Sequence, residues 1–393
     1  MSSSPETISG PQSPPLVVDA DSSNRASDIA IEIRSLKKTY GNLEAVKGID
    51  ITVKSGEIFG LIGPDGAGKT STFQILGGVM QPTSGEARVF GQIARDAREH
   101  VGYLTQAFSL YTDLSVAENL HYMGQLRLLS DFEIDKRGRD YLSLFDMDRF
   151  MDRLAGRLSG GMKQKLALAC ALITEPKVLL LDEPTTGVDP VSRREFWDTL
   201  ANLSSSGMTI VIATPYLDEA ERCHRVALMF DGTIHQTGTP AELRKNLGLD
   251  RIEVRADDLG KVDDVLSAVE TIDDVQRFGD RLDVMVKNAT VGEQDIRKAL
   301  SSANLTAEEI ITVPPTLENT FVSILRELGG EPKPIPFPIR RHFRERPADA
   351  IAIGANDLHK RFDTFDAVKG VNIEVKYGEI YGLLGANGAG KTT

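Results

Sequence analysis

Gly63-Pro64-Asp65-Gly66-Ala67-Gly68-Lys69-Thr70, followed by Ser71, is the stretch that decides the fold. A glycine, four free positions and then Gly-Lys-Thr is the pattern of a loop that wraps phosphate. Ahead of it, Ile58-Phe59-Gly60-Leu61-Ile62 is a short apolar run suited to a buried strand. Behind it, Thr72-Phe73-Gln74-Ile75-Leu76 suits the start of a helix. The glycines let the backbone curl until its N–H groups converge on an anion at the positive end of that helix. Lys69 then reaches the β- and γ-phosphates, and the Thr70 hydroxyl is placed to ligate Mg²⁺. An ordinary glycine-rich turn would not require strand, loop and helix to agree in this order. The fold class is α/β, and residues 63–71 are assigned to a nucleotide.

The 393 residues bound two or three domains, and 26% charged with 41% apolar residues is a globular composition. A net charge of −12 argues against general electrostatic binding of nucleic acid. Cys170 and Cys223 lie far apart without metal-type spacing and read as thiols of a reducing cytosol. No apolar run approaches the roughly 18 residues of a membrane span, and no signal peptide is present. Membrane association is therefore expected to be peripheral, or carried by chain beyond residue 393.

Residues 1–28, rich in Ser, Pro and Asp, read as a disordered leader. Alternation in Ile29-Ala-Ile-Glu-Ile-Arg and Ile49-Asp-Ile-Thr-Val-Lys predicts strands exposed on one face. Tyr40, between them, is an aromatic that could stack on a nucleotide base. The stretch Val101-Gly-Tyr-Leu-Thr-Gln106 predicts a strand ending in a polar residue. From 113 to 155 the periodicity turns helical, with an N-cap signal in Asp113-Leu-Ser-Val-Ala-Glu. Leu158-Ser159-Gly160-Gly161-Met162-Lys163-Gln164 opens another helix. Val178-Leu-Leu-Leu181 is a buried strand ending in Asp182-Glu183. A carboxylate at such a strand end beside a phosphate loop suits Mg²⁺, and a second suits activation of water.

Taken together, these motifs resemble the nucleotide-binding domain of ABC transporters, a P-loop NTPase with a helical subdomain, over residues 29–248. The likeness rests on Tyr40, the phosphate loop, Gln106, the signature Leu158-Ser-Gly-Gly-Met162, the Leu-Leu-Leu-Asp182-Glu183-Pro run and Gly187-Val-Asp189-Pro. The run from Leu158 to Pro184 is similar to tandem ATPase subunits of ABC-2-type multidrug exporters.

Residues 249–330 predict strand and helix in the order β-α-β-β-α-β, as in ferredoxin-like domains, with one helix running to Val269. Pro315-Thr-Leu-Glu-Asn-Thr-Phe resembles the tail of exporter ATPases of this type. Residues 331–350 form a Pro/Arg-rich linker, semi-stiff by composition. The chain then repeats itself. At a constant offset of 390 − 68 = 322, 20 of the 38 positions from 33 to 70 match those from 355 to 392. Tyr40 maps to Phe362, and the loop to Gly385-Ala-Asn-Gly388-Ala-Gly390-Lys391-Thr392. Residues 351–393 are expected to begin a second ATPase domain, which makes the chain an N-terminal piece of a tandem protein.

The resemblance implies a sandwich of two such domains on one chain, enclosing two ATP molecules with Mg²⁺. Lys69, Thr70, Gln106, Asp182 and Glu183 serve the first ATP, with Tyr40 under adenine. Glu183 and Gln106 are the catalytic pair, and Thr70, Gln106 and Asp182 hold the metal. Ser159, Gly160 and Gly161 instead reach the ATP bound by Lys391 and Thr392. Partners implied are transmembrane permease subunits or domains, at the cytoplasmic face of the cell membrane, exporting a drug or other hydrophobic substrate. One position departs from the family: Pro215 follows the strand ending at Thr214, where a histidine usually contacts the γ-phosphate. His224, nine residues on, reads as a surface residue. A ribosome-associated tandem ATPase and a non-catalytic nucleotide sensor are the rival readings.

Overall fold

The structure, a computed structural model, describes residues 29–106, 110–327, 350–377, 379–385 and 389–393. The leader 1–28 and linker positions 331–349 lie outside the described residues, as does Gly388. Strands β1 (Ile29–Tyr40) and β2 (Leu43–Lys54) form an antiparallel hairpin. The buried strand β3 (Ile58–Ile62) leads through the phosphate loop into helix α1 (Lys69–Leu76). Next come β4 (Ser84–Val89), β5 (Gln92–Ile93) and β6 (Val101–Leu104). A helical arm follows, of α2 (Val116–Leu126) and α3 (Asp131–Leu144). The first unit closes with α4 (Gly160–Leu172), β7 (Val178–Asp182), α5 (Pro190–Ser205), β8 (Thr209–Thr214), α6 (Leu217–Ala220), β9 (Arg225–Phe230), β10 (Thr233–Gly238) and α7 (Pro240–Asn246).

Local sequence explains the boundaries. In the arm, Ser115 Oγ accepts from the Glu118 N–H at 3.2 Å while Glu118 accepts from the Ser115 N–H at 2.7 Å. Ser130 and Glu133 repeat this reciprocal cap at α3. Pro190 at the first position of α5 follows the Asp189 cap, where a missing N–H costs nothing.

The central sheet has the order β10-β9-β3-β8-β7-β6, with β3, β6, β7, β8 and β9 parallel and β10 antiparallel at one edge. The strands β3, β7 and β8 are buried along their whole length because both faces are covered. Phe59, Leu61, Val178, Leu180, Val211 and Ala213 face one core, shared with α1 and the antiparallel sheet β2-β1-β4-β5. Ile58, Ile62, Leu179, Leu181, Ile210 and Ile212 face the other, shared with α4, α5 and the arm. Among these strands, connections run to opposite sides at β3 and β8, so the carboxyl ends of β3, β7 and β8 open onto one crevice.

The second unit runs β11 (Asp250–Arg255), α8 (Leu259–Leu266), β12 (Ile272–Phe278), β13 (Arg281–Val286), α9 (Ala289–Ser302) and β14 (Glu309–Val313). Its antiparallel sheet has the order β12-β13-β11-β14, with α8 and α9 over the face carrying Ile252, Val254, Leu282 and Val284. Helix α8 ends at Leu266, not Val269, because the chain turns at Ser267 to enter β12.

Helix α10 (Leu317–Glu327) was not read from the sequence as an element. Its Leu317, Phe321 and Ile324 lie in the core of the first unit, while the Asn319 amide donates to Gln276 of β12 at 3.2 Å. The helix thus ties the two units together. Leu317 is 1% exposed, so Leu317→Ala is expected to destabilise the chain by about 2–5 kcal/mol. Denaturant unfolding checks this, and an unchanged midpoint would show that α10 does not hold the units together.

Strands β15 (Ile351–Phe362) and β16 (Phe365–Lys376) form a second hairpin, offset from β1 and β2 by 322 at both ends of both strands. Fine details repeat too. The Ser35 N–H donates to Asp50 at 2.9 Å and the Asp357 N–H to Asn372 at 2.7 Å.

Candidate functional site

The phosphate loop begins where β3 ends. The Gly63 N–H donates to Thr214 O at 3.3 Å, tying the loop to the neighbouring strand β8. Gly63 and Gly68 must be glycine for steric reasons. A Cβ at Gly63 would come within 2.0 Å of Met229 O, and one at Gly68, where φ is 105°, within 2.4 Å of Ala45 O. The close approach lets the loop curl tightly between β3 and α1. Lys69 is 4% exposed, and its ammonium donates to Gly63 O at 2.7 Å and Pro64 O at 2.9 Å. Burial holds this ammonium below the usual lysine range, with Glu183, Asp65 and Asp182 acting the other way.

The acidic pair sits at the end of β7. Glu183 lies 3.9 Å from the Lys69 ammonium and accepts from the Gln106 amide at 2.9 Å. Its φ of 48° is left-handed, unusual for a glutamate, and its N–H is anchored on Ala213 O at 2.8 Å. Asp182 is fully buried, and neither carboxylate oxygen has a hydrogen-bond partner. Burial therefore pushes its carboxyl above the usual range, with the nearby Thr70 and Tyr103 hydroxyls pulling the other way without closing a hydrogen bond. Burial, with the Asp182 charge beside it, likewise raises the Tyr103 phenol.

Tyr40, Asp65, Gly66, Gly68, Lys69, Thr70, Ser71, Gln106 and Glu183 line one cleft of about 350 Å³. The Tyr40 hydroxyl lies 3.2 Å from Ser71 Oγ, and the Lys38 ammonium stands 5.1 Å from the Tyr40 ring. Leu43 and Ala45 also line the cleft and were missed, because nothing local marks them: the hairpin brings them there. A larger cavity of about 550 Å³, lined by Phe90, Arg137, Tyr141 and Lys177 among others, holds none of the assigned residues.

Other assigned residues lie elsewhere. Ser159 caps α4, its hydroxyl accepting from the Met162 N–H at 3.3 Å, and neither it, Gly160 nor Gly161 lines the cleft. Phe362 ends β15, half exposed. In the second loop, the Lys391 ammonium donates to Gly385 O at 2.5 Å, as Lys69 does to Gly63. A Cβ at Gly390 would meet Ala367 O at 2.4 Å, the counterpart of the Gly68 contact. At Pro215, β8 has just ended, and the next N–H, of Tyr216, donates back to Thr214 Oγ1 at 3.0 Å. His224 is exposed, and its Nδ1 accepts from the Ile58 N–H at 2.9 Å at the far end of β3.

A family described as ABC transporter matches residues 46–186. The chain is 39% identical over 385 residues to a probable multidrug ABC transporter ATP-binding protein of Escherichia coli (strain K12), covering 93% of this chain and 64% of that protein. The chain therefore spans less than two thirds of that relative's length. It is 33% identical over 307 residues to a daunorubicin resistance ATP-binding protein of Streptomyces coeruleorubidus, covering 76% of this chain and 96% of that protein. Among solved structures, cbiO1 of Clostridium perfringens, part of the ABC transporter complex cbiONQ, superposes with a TM-score of 0.51. The two are 31% identical, over 55% of this chain and 91% of that one. The phosphate loop, the acidic pair at the end of β7 and these matches lead to one conclusion: the chain belongs to the ABC transporter family, as one of its ATP-binding proteins.

Proposed function

We propose that this chain binds and hydrolyses ATP to power an ABC-type exporter of drugs or other hydrophobic substrates. The observation that carries the reading is the convergence of Lys69, Glu183 and Gln106 on one cleft floored by the phosphate loop. Lys69 exchanges its two loop carbonyls for phosphate oxygens, and Tyr40 offers its ring to adenine. Glu183, oriented by Gln106, accepts the proton of the attacking water. The related multidrug and daunorubicin resistance proteins support the export assignment.

The Asp182 oxygens, buried and without partners, fit a hard cation, with the Thr70 hydroxyl beside them and Gln106 on the rim. Mg²⁺ held there would neutralise charge on the phosphoryl oxygens. The Asp182 carboxyl is raised in the fold, so its contribution to stability is present at low pH and lost as pH rises through the carboxylate range. Once ionised, the buried group is a burden that a cation relieves. Asp182→Asn is therefore expected to raise the melting temperature of the metal-free chain while abolishing the gain produced by Mg²⁺ with ATP. Scanning calorimetry with and without Mg²⁺ checks both, and a melting temperature that still responds fully would remove Asp182 from the metal site.

Residues 351–393 begin a second unit of the same kind, supported by the repeated hairpin and by Lys391 and Gly390 in the roles of Lys69 and Gly68. In the resulting sandwich, Ser159, Gly160 and Gly161 reach the second ATP, consistent with their absence from the first cleft. The sheet order β12-β13-β11-β14 supports a ferredoxin-like accessory domain. Among the described residues no helix is long and apolar enough to cross a membrane, so we place the chain peripherally at the cytoplasmic face, against permease partners. Calorimetric titration of Mg-ATP and steady-state phosphate release test the reading. Absent binding overturns it, and binding without release in the full-length protein converts it to a nucleotide sensor.

A further inference from the structure

Glu183 adopts a left-handed conformation that a glutamate keeps only when its surroundings hold it. One anchor lies at its own N–H, on Ala213. The other lies two residues on. Thr185, 1% exposed, donates its hydroxyl to Oε1 of Glu219 on α6, itself 1% exposed. Arg193, in the first turn of α5, brings its Nε to 3.9 Å from the same oxygen. Both ends of the segment 185–193 thus meet one buried carboxylate.

That segment carries Gly187-Val188-Asp189. Asp189 caps α5 by accepting from the Val191 and Ser192 N–H groups at 3.2 and 3.1 Å. Ser192 presses on the signature helix at Gly161, where a Cβ would come within 2.6 Å of it. Around the carboxylate, Arg193 also reaches the exposed Asp218 at 3.3 Å and stands 5.1 Å from the Tyr216 ring. Glu219 Oε2 and Arg193 Nε have no hydrogen-bond partner. A buried carboxylate with one oxygen unsatisfied is costly, so mere packing would be served better by an apolar residue.

We propose that Glu219 is a positioning residue for hydrolysis: through Thr185 and Arg193 it holds the loop that sets Glu183 in the cleft and Asp189 beside the signature helix. The inference rests on the hydrolytic reading above. Thr186 closes the same turn, its hydroxyl 3.4 Å from Glu183 Oε2. Loss of the Thr185 contact frees the turn and lets Glu183 drift from the water it activates, while the phosphate loop stays intact.

The test uses Thr185→Val, Thr185→Ser, Glu219→Gln and the Val/Gln double variant in the full-length protein. The rate read is kcat at the first site, from single-turnover phosphate release. Misplacement of a catalytic group on this scale is expected to lower that kcat about tenfold to a hundredfold in Thr185→Val, with ATP affinity little changed. Thr185→Ser, which keeps the hydroxyl, restores kcat. The double variant loses no more than the worse single one, since both remove one link. Additive losses, or a Thr185→Val enzyme with unchanged kcat, would overturn the proposal. Amide hydrogen exchange over residues 185–189 without nucleotide supplies a readout independent of hydrolysis. Faster exchange in Thr185→Val but not Thr185→Ser supports the clamp, and unchanged exchange overturns it. An unaltered protein that binds ATP without hydrolysing it, yet shows this exchange pattern, overturns the hydrolytic reading and leaves the clamp standing.

Discussion

Lys69→Ala is expected to weaken Mg-ATP binding by about 10- to 100-fold, since a hydrogen bond to a charged group contributes roughly 1.5–3 kcal/mol. The ammonium is nearly enclosed and already turned into the loop, so little side-chain entropy is lost when phosphate displaces the Gly63 and Pro64 carbonyls. Its pKa is lowered mainly by burial, which means the charged form is under-compensated before nucleotide arrives. Phosphate supplies the missing counter-charge. Alanine removes that gain and leaves Glu183 without its nearest cation. Calorimetric titration checks the result, and an affinity within twofold of the original would falsify the assignment of this loop.

Pro215→His is expected to raise turnover at the first site by about 100-fold or more, because one preorganised donor aimed at transition-state charge contributes roughly 2.7–4 kcal/mol. Pro215 follows directly on Thr214, whose carbonyl holds the first residue of the phosphate loop. A proline there offers neither a side-chain donor nor a backbone N–H. His224 does not substitute, since its ring is engaged at the other end of β3. We therefore infer that the first site holds ATP and turns over slowly, while a second site, assembled from Ser159, Gly160, Gly161, Lys391 and Thr392, carries most hydrolysis. Single-turnover phosphate release at the first site is the measurement. Adding Glu183→Gln to Pro215→His should cancel the increase. An unchanged rate in Pro215→His would show that the proline does not limit the first site.

Much of the site was legible in sequence because its chemistry is local. In the loop 63–70 the Gly, Lys and Thr stand within eight consecutive residues, so the pattern survives as contiguous letters. The Ser115 cap within the signal at 113–118 is equally local, bonded three residues ahead. The apolar runs of β3 and β7 announced buried strands, and the carboxylates at the end of β7 were readable for the same reason. The offset of 322 between the two hairpins was visible as identical residues.

What the sequence could not supply were relations between segments far apart along it. Leu43 and Ala45 reach the cleft only because the hairpin folds over the phosphate loop. Helix α10 went unread in the sequence beyond the likeness of Pro315–Phe321 to an exporter tail, and only packing shows Leu317 and Ile324 entering the first unit's core while Asn319 grips the second unit's sheet. Glu219 is one of three acids between 218 and 225, and nothing in the sequence distinguishes it from Asp218 and Glu221 as structural. Its burial and its contact with Thr185, 34 positions earlier, arise because β8 lies between β3 and β7 in the sheet. Strand order is set by long-range pairing, which leaves no trace in the local periodicity of either segment.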